Sequence, residues 1–178
     1  MSRLWGALLL VVMLLSGFLL FTTPGFAEDS EIARQTLKGL AGFNVIVEDL
    51  QPNLLKYEKY AKEFDLNKAR IQRDIEARLS AAGIPVLPSE KWQKTPGRPV
   101  LYVNVNTHEN EKYWFAYDIK LEIRQVVSLE ANPAVKMLAT TWSINITGIA
   151  NIGKLNVIPD EVGVLTQRFI QAYRAMNK

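Results

Sequence analysis

The sequence predicts an α+β fold: an antiparallel sheet, made of a first strand and a three-strand meander, with two main helices packed on one face. Three observations predict it. Apolar side chains recur at every second position through residues 113–129, which is the period of a strand with one face on a core and one in water. Two further stretches, 100–106 and 138–146, alternate in the same way on either side of it. Two others, 67–83 and 159–173, space their apolar residues three and four apart, as one face of a helix does.

The chain divides into residues 1–27 and a single domain, 28–178. Arg3 is followed by a charge-free run from Leu4 to Phe21, then by Pro24 and the small residues Gly25 and Ala27. That order of basic, apolar and small residues is a secretory signal, with cleavage expected after Ala27; an uncleaved membrane anchor is the alternative. Both readings place the domain outside the cytoplasm, in the periplasm or secreted, because Arg3 stays inside. The domain has membrane contact only if the segment is not cleaved. Without residues 1–27 the net charge is +2, from 20 basic and 18 acidic residues, and nothing concentrates it into the basic face that nucleic acid requires. There is no cysteine, so neither a disulfide nor a lipid-bearing cysteine is available.

Residues 28–38 are mixed and polar and are expected to form a loose lead-in. Phe43, Val45 and Val47 alternate between Gly42 and Pro52 and mark the first strand. Leu54, Tyr57, Tyr60 or Ala61, and Phe64 have the spacing of helical turns. The first main helix begins after Asn67, a capping residue, carries the stripe Ile71, Ile75, Leu79 and Ala82, and stops at Gly83. Its basic residues alternate with acids, as in Arg70 with Asp74, so the face is solvated rather than a phosphate site. Residues 83–99 hold four prolines and two glycines and read as a surface crossing that excludes helix and central strand. Within it Trp92 is either a peg that pins the crossing or an exposed contact residue.

The meander starts with Leu101, Val103 and Val105 on one face and turns through a polar tip at 107–112. The central strand then carries Tyr113, Phe115, Tyr117, Ile119, Leu121, Ile123, Val127 and Leu129 inward. Asn132-Pro133 marks the next turn, across 131–136, and Leu138 to Ile146 form the third strand. Residues 150–158 read as loop. Pro159, Asp160 and Glu161 then open the second main helix, with Val162, Leu165, Phe169, Ile170 and Tyr173 on its buried face.

The central stretch is too long for a compact body. Its positions, at about 3.3 Å each, would span roughly 55 Å, whereas a domain of this length is roughly 40 Å across. A bulge or sharp twist is therefore expected within two residues of Gln125, the one polar residue on the apolar face. Its side chain is expected to bond the backbone freed there. If the strand runs unbroken, its overhanging hairpin end becomes the docking edge.

Catalytic constellations are missing from the pattern. His108 is the only histidine and lies in the expected hairpin tip, so neither a nucleophile with a histidine base nor a zinc site is indicated. No glycine-rich phosphate loop occurs. The acid pairs Glu109 with Glu111 and Glu122 with Glu130 read as surface charge. No cofactor is expected. The candidate interaction residues are Trp92, Trp114 and Arg124, with Trp114 on the charged face of the central strand as a partner anchor or as cover for charged side-chain stems. Gln125 is the candidate buried polar group, either bonded to loop backbone or lining a ligand cleft.

The order strand, helix ending in Ala81-Ala82-Gly83-Ile84, three-strand meander and C-terminal helix, Phe169 to Asn177, resembles the small α+β domain at the N-terminus of TolB. It is similar also to bacterial envelope-assembly proteins of the CsgG and LpoB groups. The resemblance is one of topology over most of residues 28–178, and no individual functional residue transfers. It implies a non-enzymatic secreted or periplasmic domain that binds other envelope proteins or itself. The chain lacks the propeller that follows this domain in TolB and the lipid-bearing cysteine of the other two. The alternative reading is a carrier holding a small ligand between the meander and a helix near Gln125.

Overall fold

The computed structural model describes residues 28–178, so the expected signal segment, 1–27, lies outside the described residues. Chain order is α1 (Glu31–Gln35), β1 (Asn44–Val47), α2 (Pro52–Leu55), α3 (Glu58–Glu63), α4 (Lys68–Ala81), α5 (Ser89–Lys94), β2 (Val100–Glu111), β3 (Trp114–Leu129), β4 (Asn132–Asn151), a 3₁₀ turn (Ile152–Lys154) and α6 (Val157–Met176). The α+β class holds. The four strands lie in the order β1-β2-β3-β4.

The sheet is mixed rather than antiparallel. β1 runs parallel to β2, with Val45 beside Leu101 and Val47 beside Val103, while β2–β3 and β3–β4 are antiparallel. A parallel pair cannot be closed by a hairpin and needs a long crossover. Residues 48–99 supply it and carry α2 to α5. The returning chain bonds the residue just before β1: Phe43 N–H donates to Pro85 O (3.0 Å), and Leu87 N–H donates to Phe43 O (2.8 Å).

The first main helix forms where its ends dictate. Asn67 Oδ1 accepts from Arg70 N–H (2.9 Å) at the N-terminus. At the other end Gly83 turns left-handed (φ 76°). The Gly83 and Ile84 amides then reach back to Ser80 O and Leu79 O, and Ile84 is buried against the same core as Leu79. Ile71, Ile75 and Leu79 are fully buried, each such side chain contributing about 1.5–3 kcal/mol. α6 buries Val162, Leu165, Phe169 and Ile170. The Phe169 ring meets Phe43 at 5.1 Å and Trp142 at 5.4 Å, joining helix, first strand and last strand in one core.

The expected loose lead-in is instead a docked helix. Ser30 caps α1 by accepting from Ala33 N–H (3.1 Å). Asp29 accepts two bonds from Arg34 (2.5 and 2.7 Å) and one from the fully buried Trp142 indole N–H (2.9 Å). Ala33 and Leu37 enter the core. The proline-rich crossing also contains a helix, α5, because Pro88 takes the cap position before it and Pro96 lies beyond its end. The prolines bracket that helix and do not interrupt it.

The first and third meander strands outrun their expected lengths, while the central one keeps to its own. β2 continues through 107–111 because Thr107 is buried and bonded to Asn53 (2.8 Å). Glu109 is also gripped there by Lys56 and Tyr57. The turn shrinks to Lys112 and Tyr113, with Tyr113 left-handed (φ 71°) and therefore outside β3. β4 begins at Asn132 rather than after a 131–136 turn, and a register shift beside Leu129 accommodates Pro133. β4 also runs on to Asn151, so the expected 150–158 loop is strand, 3₁₀ turn and the start of α6.

Candidate interaction surface

The strand break falls where the length argument puts it, but on the partner strand. Between Ile123 and Arg124 the β3–β4 register jumps: Ile123 faces Trp142 and Arg124 faces Thr140, leaving Thr141 as the extra residue on β4. Gln125 Nε2 donates to Thr141 Oγ1 (2.7 Å) and to Thr36 O (3.1 Å). The backbone that the bulge frees, Thr141 O, is taken by the Thr36 hydroxyl (3.3 Å) rather than by Gln125. The amide therefore ties β3, β4 and the end of α1 into one joint. Val126 N–H adds a bond to Gly97 O in the crossing loop (2.7 Å).

Beyond this joint the β3–β4 hairpin leaves the body. The alternation places Val127 and Leu129 inward, yet Val127 is only half-buried and Leu129 is exposed. Val127 stands opposite Met137, and Val126 opposite Leu138 on the other face. Leu129, Val135, Met137 and Leu138 are 42–49 % exposed. An apolar cluster on both faces of one projecting ribbon contrasts with the singly scattered apolar residues usual on a surface.

The outer face of the sheet nearer the body is polar and internally satisfied. Arg124 lies over the Tyr102 ring (3.5 Å) and donates to Glu122 (2.6 and 2.8 Å). Lys120 pairs with the same carboxylate (2.8 Å). Glu122 is buried, not the surface charge that its sequence position suggests. Burial pushes its carboxyl up, but the bonds and charges of Lys120 and Arg124 outweigh that and hold it below the usual range. A polar depression of about 810 Å³ over β4 is lined by Asp29, Lys120, Glu122, Asn145 and Arg168, of which Asp29, Lys120 and Glu122 are held in ion pairs. Among the described residues no group of three or more acids or histidines could hold a metal ion.

The sequence-derived candidates do not form one surface. Trp114 is 47 % exposed at the β2–β3 end, where it stands with His108, Ala116 and Ile149 around a small hollow. Arg124 is ten residues along the same strand, roughly 33 Å away. Trp92 lies on α5, half-buried, with its indole N–H buried and without an acceptor among the described residues. Gln125 spends its amide N–H groups on Thr141 and Thr36. What sequence reading missed is the exposed cluster at 129–138, which is an accident of length: its residues match core residues in type and period. Only the excess of strand over body diameter signalled it.

Compared with known proteins, the chain matches no protein-family model and no curated protein sequence.

Proposed function

We propose that this chain is a non-catalytic binding module of an exported or cell-envelope complex, engaging a protein partner through the projecting β3–β4 end. The observation that carries this reading is the cluster Leu129, Val135, Met137 and Leu138, held away from the body on a hydrogen-bonded joint. A rigid apolar projection is suited to a partner's groove, because little ordering entropy remains to be lost on binding. Export rests on the pattern of residues 1–27, and the envelope context on the topological likeness to TolB-type domains. Among the described residues no helix is long and apolar enough to cross a membrane. The carrier alternative draws less support, since the space beside Gln125 is filled by its own bonds.

The test is site-specific photo-crosslinking in cells, with the probe at Met137 or Leu138 and a control probe at Arg73 on the solvated face of α4. A discrete adduct from the hairpin probes alone, lost when Leu129, Val135 and Met137 are changed to Ser, is the expected result. Equal labelling from all three probes would sink the reading. Intact mass of the purified chain checks export separately, with a start at Glu28 expected.

A further inference from the structure

The outer face of the sheet carries the same pair of groups, an aromatic ring opposite a glutamate, at two places between β2 and β3. At the first, Tyr102 of β2 stands opposite Glu122 of β3, and Arg124 completes the pair from within the chain. Its guanidinium lies 3.5 Å from the Tyr102 ring centre and donates to the Glu122 carboxylate at 2.6 Å. At the second, beside the β2–β3 turn, the strands exchange roles: Glu111 of β2 stands opposite Trp114 of β3. There the chain supplies no cation. Among the described residues the Glu111 side chain makes no hydrogen bond or ion pair, and no lysine or arginine stands over the Trp114 ring. Lys112, which lies between the two in sequence, sits over Tyr113 instead (5.0 Å).

We infer that Trp114 and Glu111 receive an arginine side chain presented by an extended segment of a partner protein. The hollow of about 270 Å³ beside Trp114 is lined by Ala116 and Ile149 as well as by Glu111. Ala116 is small and Ile149 aliphatic and exposed, so the carbon stem of an arginine packs on them while its planar head lies on the indole and pairs with the carboxylate. An exposed ion pair contributes little by itself, and the stacking surface supplies the rest. A lysine has the charge but not the flat, forked head that both groups fit.

A second hollow, of about 490 Å³, shares His108, Ala116 and Ile149 with the first and adds Asp118. It gives room to the residues that follow the arginine. Neither hollow is lined by lysine or arginine, so Glu111 and Asp118 turn away phosphate groups and acidic segments. Free arginine is a poorer guest than the same side chain within a peptide, because its own carboxylate comes near these acids. The site lies at the opposite end of β3 from the projecting β3–β4 tip, so failure of either proposal leaves the other standing.

The test is an NMR titration of the purified chain with the blocked tripeptide acetyl-Gly-Arg-Gly-amide. The Trp114 indole N–H and the Ile149 methyl signals are expected to shift saturably, while the indole N–H of Trp142, buried on Asp29, stays in place. The corresponding lysine peptide and free arginine should each bind several-fold more weakly. The citrulline peptide, of the same shape without the charge, should shift nothing. Glu111→Gln and Trp114→Leu should each weaken the arginine peptide several-fold, whereas Glu130→Gln, at the far tip, leaves its binding unchanged. If Trp114→Leu loses its cooperative thermal unfolding, the isosteric Glu111→Gln decides alone. Equal shifts from the arginine and citrulline peptides overturn the proposal, as does unchanged binding by Glu111→Gln. So does a neutral sugar such as chitobiose shifting the Trp114 signal where the arginine peptide does not.

Discussion

At the scale of single residues, the most consequential side chain is Gln125. It was legible as an exception, a polar group in an apolar row, because a buried amide must find partners or cost stability. Its partners were not legible: Thr36 and Thr141 are distant in sequence, and neither stands out by pattern. Replacing Gln125 with Leu leaves Thr36 O and the Thr141 hydroxyl oxygen each short of a donor. The expected loss is about 1–3 kcal/mol, read as a lower denaturant midpoint at unchanged slope. Because the two side chains act on one joint, Gln125→Leu combined with Thr141→Val should cost less than the sum of the separate changes. Strict additivity would mean that they are not coupled. Glu122 teaches the converse: a carboxylate flanked at two residues on either side by Lys120 and Arg124 sits on one strand face with both cations. That spacing was present in the sequence but was read only as solvated charge.

At the scale of elements, the two main helices were readable almost to their ends, since caps, stripes and terminal glycine act within a turn or two of where they stand. α1 was not, because it has little intrinsic reason to form. Its five residues are held by contacts made elsewhere, above all by Asp29 binding Arg34 and the Trp142 indole. Asp29→Ala should therefore act on the whole element, leaving a buried indole N–H without its acceptor. We expect destabilisation of about 1–3 kcal/mol and faster amide exchange through 31–37 than through α4. Uniform acceleration across both helices would count against this account. Strand ends failed as predictions for a related reason. A polar tip such as 107–112 forms strand when its backbone has a partner, and the partner is invisible in local composition.

At the scale of the whole molecule, two acids tie distant segments together, Asp29 holding α1 to β4 and Glu109 holding the β2–β3 end to the end of α2 and the residue after it, while a third, Glu122, sits between flanking cations on β3. All three are held below their usual pKa, Asp29 chiefly by its bond to Arg34 and Glu109 chiefly by its bond to Lys56. A group with a lowered folded-state pKa adds stability above its unfolded value, about 4 for a carboxylate, and that stability is lost as pH falls through the folded value. Thermal unfolding temperature should therefore be flat near neutrality and fall below about pH 4. Glu122→Gln should show a shallower fall than the parent chain. The sheet order carries a further consequence, one of time. β1 and β2 are neighbours in space, yet residues 48–99 stand between them in the chain, while the β2–β4 meander closes through tight turns. Loop closure must precede the contacts that reward it, so the meander is expected to form first and β1 last. In pulse-labelled hydrogen exchange during refolding, the β3 amides should gain protection before those of Val45 and Val47. Under the proposed export, N-terminus first, β1 would emerge well before its partner. Phe43, Val45 and Val47 would then wait in an unpaired strand for as long as it takes the remaining chain to arrive.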